Sequence, residues 1–282
     1  MSLINVDQLN ALLDDPGVRI VDTRWYLADI EQGRREYEES HIPGALFMDV
    51  EADLSSDKPG PGRHPLPAWD EFAGRLGARG IGDRHHVVIY DTADGSIAAR
   101  LWWMLRRLGH GRVSVLDGGW DAWLAAGLQT ETRARSYPVT NYPVQVRPGG
   151  TVDRDELRSA LGEVLLLDAR APERYQGLTE PVDPIAGHIP TAVNAFHGGN
   201  VTSDGHFKSP DQLRARFEEL GAGEATTAVT YCGSGVTSCH NILAMHLAGL
   251  PEPLLYPGSW SDWSTESYPV ATGMEPGEVP AQ

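Results

Sequence analysis

The chain repeats itself, and a repeat of this kind decides what it can fold into. Four landmarks recur in the same order at offsets of 140 to 147 residues. Ile20-Val21-Asp22-Thr23-Arg24 returns as Leu166-Leu167-Asp168-Ala169-Arg170, and His41-Ile42-Pro43-Gly44-Ala45 returns as His188-Ile189-Pro190-Thr191-Ala192. Val87-Val88-Ile89-Tyr90 precedes Asp91 as Ala228-Val229-Thr230-Tyr231 precedes Cys232. Gly118-Gly119-Trp120-Asp121-Ala122-Trp123 matches Gly258-Ser259-Trp260-Ser261-Asp262-Trp263. Two like domains in tandem are the expectation.

Each half alternates short β-rich runs with helical patterns. Ala98 to Leu108 has helical composition and stops at Gly109, and Val113-Ser114-Val115-Leu116 then reads as a strand closed by Asp117-Gly118-Gly119. Strand, helix and strand in succession imply parallel pairing, so the fold class is α/β, each domain a parallel sheet flanked by helices. Tyr137-Pro138-Val139-Thr140-Asn141-Tyr142-Pro143 and Pro148-Gly149-Gly150 read as an extended connection. The expected organisation is a first domain over 1–138, a linker over 139–150 and a second domain over 151–282.

A length of 282 residues with 41% hydrophobic side chains lets each half bury its own core. Residues 1–140 carry 15 basic and 21 acidic side chains, and residues 141–282 carry 8 and 18. Both halves are therefore acidic, which excludes a basic footprint for nucleic acid or an anionic membrane surface. No apolar run reaches the roughly 18 residues of a membrane helix, and Met1-Ser2-Leu3-Ile4-Asn5-Val6-Asp7 lacks the basic-then-apolar pattern of a signal peptide. Two cysteines make no disulfide framework; on a shared helix Cys232 and Cys239 lie about 10 Å apart, too far to bridge. A cytoplasmic protein with reduced thiols is expected.

Cys232-Gly233-Ser234-Gly235-Val236-Thr237, set between a strand and a helical run from Ser238 to Ala248, is the segment that carries chemistry. Sites in open α/β sheets form at the carboxyl ends of strands. Gly233 and Gly235 allow positive φ and let backbone N–H groups turn inward around the sulfur, and the following helix adds the positive end of its dipole. Both effects favour the thiolate that a nucleophile requires. Cys239 lies inside the helix and reads as core. The first half supplies a control, because Asp91-Thr92-Ala93-Asp94-Gly95-Ser96 holds no cysteine and cannot form a persulfide.

These motifs resemble a tandem-domain rhodanese-family sulfurtransferase nearly end to end. The resemblance rests on the Cys232 loop, Tyr37-Glu38-Glu39-Ser40-His41-Ile42-Pro43-Gly44-Ala45, Asp117-Gly118-Gly119-Trp120 and Pro257-Gly258-Ser259-Trp260. The loop is similar to the 3-mercaptopyruvate branch; the thiosulfate branch carries Arg and Lys where this chain has Gly233 and Ser234. The resemblance implies an inactive first domain, a persulfide on Cys232 and ping-pong transfer without metal or organic cofactor. It also implies a small-molecule sulfur donor and an acceptor such as cyanide or a thiol, thioredoxin included.

The loop has no cation for an anionic donor. Within Glu173-Arg174-Tyr175-Gln176-Gly177, Arg174 matches the family arginine that binds the donor's carboxylate or sulfonate, for which a planar guanidinium is suited. Arg170, beside Asp168, reads as a structural pair. The mercaptopyruvate branch places a second arginine after Glu-Pro, but Leu178-Thr179-Glu180-Pro181-Val182-Asp183-Pro184 has none, which keeps thiosulfate as the alternative donor. The expected donor-binding set is Arg174 with loop residues Gly233, Ser234, Gly235, Val236 and Thr237. Ser234 is also a candidate for proton relay. His41 resembles a family histidine facing the site from the first domain, and Asp29 is a further candidate. Trp102, Trp103, Trp120, Trp123, Trp260 and Trp263 have the spacing of core residues.

Two other classes are weighed. A cysteine phosphatase or arsenate reductase closes its loop with an arginine, and positions 238 and 239 are Ser238 and Cys239. A non-catalytic sulfur-binding module has little need of an activated thiolate.

Overall fold

The computed structural model describes residues 2–223, 226–265 and 267–280. Two compact units are present, each on an all-parallel sheet. The first comprises the residues through Asp57, Leu66–Pro148 and Thr202–Phe207; the second comprises Lys58–Pro65, Gly149–Val201 and the chain from Lys208 onward. Each half of the sequence thus lends a short segment to the other unit.

In the first unit the strands are β1 (Leu3–Ile4), β2 (Val18–Asp22), β3 (Leu46–Phe47), β4 (His86–Tyr90) and β5 (Val113–Leu116), in the order β1-β5-β4-β2-β3. The second has β6 (Leu165–Asp168), β7 (Val193–Asn194), β8 (Ala228–Tyr231) and β9 (Leu254–Leu255), in the order β7-β6-β8-β9. Thr151 makes a single parallel bridge to Leu255 where β1 runs in the first unit. The central strands are apolar on both faces because helices cover both. Ile20, Val88, Tyr90 and Trp123 centre one core, and Leu166, Val229, Tyr231 and Trp263 the other. All six tryptophans singled out in the sequence are buried, as core residues should be.

The repeat extends to the buried charges. Arg24 pairs with Asp22 at 2.7 Å and lies over the Trp120 ring; Arg170 pairs with Asp168 at 2.7 Å and lies over Trp260. Burial works against the Arg170 charge, but Asp168 outweighs it and holds the guanidinium above its ordinary pKa. Deleting one partner of such a pair costs about 3–5 kcal/mol, since the other charge is left buried alone.

The segment expected to be a linker is largely structural. Its prolines bar it from helix and sheet, yet Thr140 N–H donates to Gly77 C=O and Arg147 N–H to Arg107 C=O. Those carbonyls lie in the last turns of the helices Trp69–Ala78 and Ala98–Arg107, where carbonyls lack partners within the helix. Tyr142 is buried with its hydroxyl 2.7 Å from His110 Nδ1. The arm therefore belongs to the first unit as far as Pro148, ten residues beyond the expected end of the domain. No helix among the described residues is long and apolar enough to cross a membrane.

Candidate active site at the Cys232 loop

β8 delivers Cys232 at its carboxyl end, and the chain turns through residues 232–237 into the helix Ser238–Leu247. Gly235 makes the turn with φ of +76°, and a Cβ there would lie 2.5 Å from Pro257 O, so glycine is required twice over. Gly233 differs from expectation: its φ is not positive. A Cβ at Gly233 would face Arg63 Nη2 at 3.4 Å and Arg174 Nη1 at 3.5 Å. The glycine keeps open the space before two guanidinium groups.

The Cys232 side chain is nearly enclosed. Burial pushes its thiol pKa up, but the Thr237 hydroxyl, the Ser234 N–H and the Ser238 hydroxyl and N–H outweigh it and hold the thiol below its ordinary value. Gly235 N–H also donates to Sγ at 3.2 Å. The sulfur thus sits in a nest of donors at a helix start, where negative charge is favoured. Val236 is buried and anchors the loop. Cys239 is buried too, its Sγ donating to Gly235 O at 3.5 Å, a packing role as expected.

The Pro257–Ser261 segment braces this loop. Cys232 N–H donates to Ser259 Oγ, Trp260 N–H to Cys232 C=O and Ser261 N–H to Gly233 C=O. Ser259 holds φ of +54°, a rare conformation for a side-chain-bearing residue.

Two site residues escaped the sequence reading. His64 is buried with Nδ1 2.7 Å from Ser234 Oγ, and Arg63 joins Asp183 at 2.8 Å. Both come from Lys58–Pro65, the segment that the first half lends to the second unit. Gly62 seats it: φ is +77°, and a Cβ would lie 2.3 Å from Gly258 O. The signal was an arginine and a histidine bracketed by Pro61-Gly62 and Pro65, chemistry-bearing side chains on a stiff loop.

Arg174 stands beside the loop, as expected, but in company. Its Nη2 lies 2.6 Å from Glu180 Oε1 and 3.1 Å from Asp183 Oδ2. The Leu178–Pro184 run thus contributes carboxylates that fix the arginine. His41 sits in the first unit with Nδ1 2.6 Å from Tyr37 O, stacked on the Tyr37 ring; His188 repeats this on Tyr175. Both bridge a neighbouring strand segment, so the motif serves the fold in each half. Asp29 is a surface partner of Arg35.

Comparison with known families decides the lineage: the model of the rhodanese-like domain matches residues 5–126 and again 153–266. The chain belongs to the rhodanese family. A relative in Pseudomonas aeruginosa, named a probable 3-mercaptopyruvate sulfurtransferase, is 46% identical over 96% of this chain and 98% of its own. A rhodanese-family relative from Cricetulus griseus, named thiosulfate sulfurtransferase, is 39% identical over 90% of this chain and 87% of its own. The solved structure of SseA from Escherichia coli, described as a 3-mercaptopyruvate sulfotransferase, superposes with a TM-score of 0.82 at 32% identity, covering 93% of this chain and all of SseA. Two rhodanese domains, each a parallel sheet flanked by helices, are thus established.

Proposed function

We propose that the protein is a sulfurtransferase that carries sulfane sulfur as a persulfide on Cys232 and takes it from 3-mercaptopyruvate. The observation that carries this reading is the buried Cys232 sulfur ringed by donors that stabilise negative charge. The thiolate attacks the donor's sulfur, an S–S bond forms, and the C–S electron pair passes to the methylene carbon. That carbon gains a proton to give pyruvate, while the donor thiol gives up its own, leaving Cys232 as a persulfide anion. Ser234 and His64, hydrogen-bonded to each other, suit this proton movement. Arg174 holds the donor's carboxylate. An acceptor thiolate, thioredoxin included, or cyanide then takes the outer sulfur and restores the Cys232 thiolate. The first domain, with Asp91 at the cysteine position, carries no sulfur. We place the protein in the cytoplasm, where both thiols stay reduced.

The test is intact-protein mass after exposure to donor. One sulfur atom is gained by the wild type and none by Cys232→Ser; an adduct that survives the substitution overturns the reading. A second donor, thiosulfate, is favoured by one observation: the Glu180-Pro181 run carries no arginine. In that case attack on the outer sulfur releases sulfite. Specificity constants for the two donors on one preparation separate them, and mercaptopyruvate is expected to win.

A further inference from the structure

The two halves differ in length between their stacked tyrosine and histidine. Tyr37 and His41 stand four positions apart and Tyr175 and His188 thirteen, so the second half has nine additional residues there. Both ends of this insertion match the first half. Arg24 Nη2 donates to Ser40 C=O, just before His41, and Arg170 Nη2 donates to Gly187 C=O, just before His188. The additional residues bring the acid. Glu180 takes Arg170 at 3.3 Å and Arg174 at 2.6 Å, and Asp183 takes Arg174 at 3.1 Å. The direction of Arg174 is therefore set by a loop, and a loop is only as fixed as its ends.

Those ends meet, and a distant segment closes over them. A Cβ at Gly177 would lie 3.3 Å from Gly187 Cα and N, so two glycine backbones form the neck of the loop. Ala271 exchanges both backbone hydrogen bonds with His188 at 2.9 Å. Gly273 N–H donates at 2.9 Å to Gln176 C=O, at the end of the helix Pro172–Tyr175 that bears Arg174. The Thr272 Cγ2 methyl lies between, 3.1 Å from the Cβ position of Gly177 and 3.2 Å from that of Gly187. A side chain on Gly187 would meet Ala271 C=O at 2.5 Å, so the neck must stay bare for the segment to seat. In the first half Glu131 exchanges the same pair of bonds with His41, where only three residues separate tyrosine from histidine. There the bonds serve the fold alone. We infer that Val270–Gly273 is a positioning segment for Arg174: it pins the neck of the loop over 178–186 and thereby sets the guanidinium that receives the donor's carboxylate. This rests on the proposed reading of Arg174 as the donor-binding arginine.

The test uses the full chain and three readouts: KM and kcat for mercaptopyruvate, and the rate of iodoacetamide at Cys232. Ala271→Pro removes the N–H that reaches His188 C=O, and Glu131→Pro removes its counterpart in the first unit. Ala271→Pro should raise KM about tenfold with little change in kcat or alkylation. Glu131→Pro should leave all three readouts at their wild-type values. Arg174→Gln should raise KM by about 10²-fold, the scale of losing a charge-assisted hydrogen bond. Ala271→Pro added to Arg174→Gln should raise KM no further, because the segment acts through that arginine. A further rise, or a loss of kcat and alkylation as large as the rise in KM, would mean that the segment supports the fold in general. An unchanged KM in Ala271→Pro would mean that the neck holds itself. Each of these overturns the inference while leaving the role of Arg174 intact. An unchanged KM in Arg174→Gln is a separate outcome: it removes the donor-binding reading, and the inference with it. Should Ala271→Pro not fold, Thr272→Gly takes only the methyl from the neck and should raise KM about threefold, no rise being contrary to the inference.

Discussion

Asp91 and Cys232 occupy the same place, one residue beyond a central strand of each sheet, β4 and β8, and both loops turn their backbone donors onto the side chain that stands there. Around Asp91, Oδ1 accepts Gly95 N–H at 3.0 Å and Oδ2 accepts Ile97 N–H at 2.8 Å and Ala98 N–H at 3.0 Å. Around Cys232 the N–H donors are joined by the Thr237 and Ser238 hydroxyls, at the positions where the first loop has Ile97 and Ala98 before and at the helix start. The first loop is also one residue longer, seven against six between strand and helix. The comparison teaches that the turn itself is a general anion cradle. The first half fills it permanently with its own carboxylate; the second fills it with a reactive sulfur and adds hydroxyls to keep that sulfur ionised.

The largest effect expected from breaking this contrast is on turnover. Cys232→Ser should lower sulfur transfer by about 10⁴-fold or more, the scale of losing a nucleophile. Asp91→Ala should leave the specificity constant unchanged, measured in the same assay. Next comes the hydroxyl relay. Ser234→Ala and His64→Ala should each cost about 10²-fold in kcat, and the double variant little more than either, because the pair acts as one unit. Additive losses would show that the two groups work separately.

A smaller effect sharpens the account of the hydroxyls. Thr237→Val should raise the pH at which Cys232 alkylates and slow the neutral-pH reaction with iodoacetamide by about tenfold, one pKa unit of thiolate. Asp91→Cys tests the converse: set among N–H groups without the hydroxyls, the new thiol should alkylate more slowly than Cys232 at every pH below its own titration.

The carboxylate has a pH signature of its own. Burial, and then Asp94, push the Asp91 pKa up to about 6. The folded chain therefore holds that proton over a range in which the unfolded chain has released it. This contribution to stability is full below the ordinary carboxyl pKa of about 4 and is lost as pH rises towards 6. Urea midpoints across that window should show the loss in the wild type and a flatter profile in Asp91→Asn. Smallest of all is the glycine contrast. Gly235→Ala should cost more stability than Gly95→Ala by about 1 kcal/mol: both pay the left-handed backbone penalty, but only Gly235 has a backbone oxygen within 2.5 Å of the new methyl, whereas Gly95 meets side chains at 3.3 Å.

The parts of this arrangement written locally were readable from the chain. Apolar runs bounded by turns gave the strands, the duplicated landmarks gave two α/β units, and a cysteine between strand and helix gave the nucleophile. Asp168 two residues before Arg170 gave the buried pair. What stayed hidden is long-range. His64 and Ser234 are 170 positions apart, and no periodicity or turn signal in Pro61-Gly62-Arg63-His64-Pro65 names the loop it will meet. Gly233 read as a residue needed for backbone twist, when its use is the absence of a side chain before two arginines. The arm from 139 to 148 looked like a tether because its prolines forbid regular structure, although its N–H groups complete two helices of the first unit. Boundaries followed sequence halves, whereas Lys58–Pro65 and Thr202–Phe207 change sides.

That last exchange has a consequence for heredity. A rhodanese gene cut at its repeat would yield a fragment with the reactive cysteine but without Arg63 or His64, since eight residues of the second unit are encoded in the first half. After duplication the silent copy could lose its own chemistry, as Asp91 records, yet it could not be discarded. The two copies have become one selectable trait, and recombination anywhere between His64 and Gly149 would separate the sulfur from the groups that serve it.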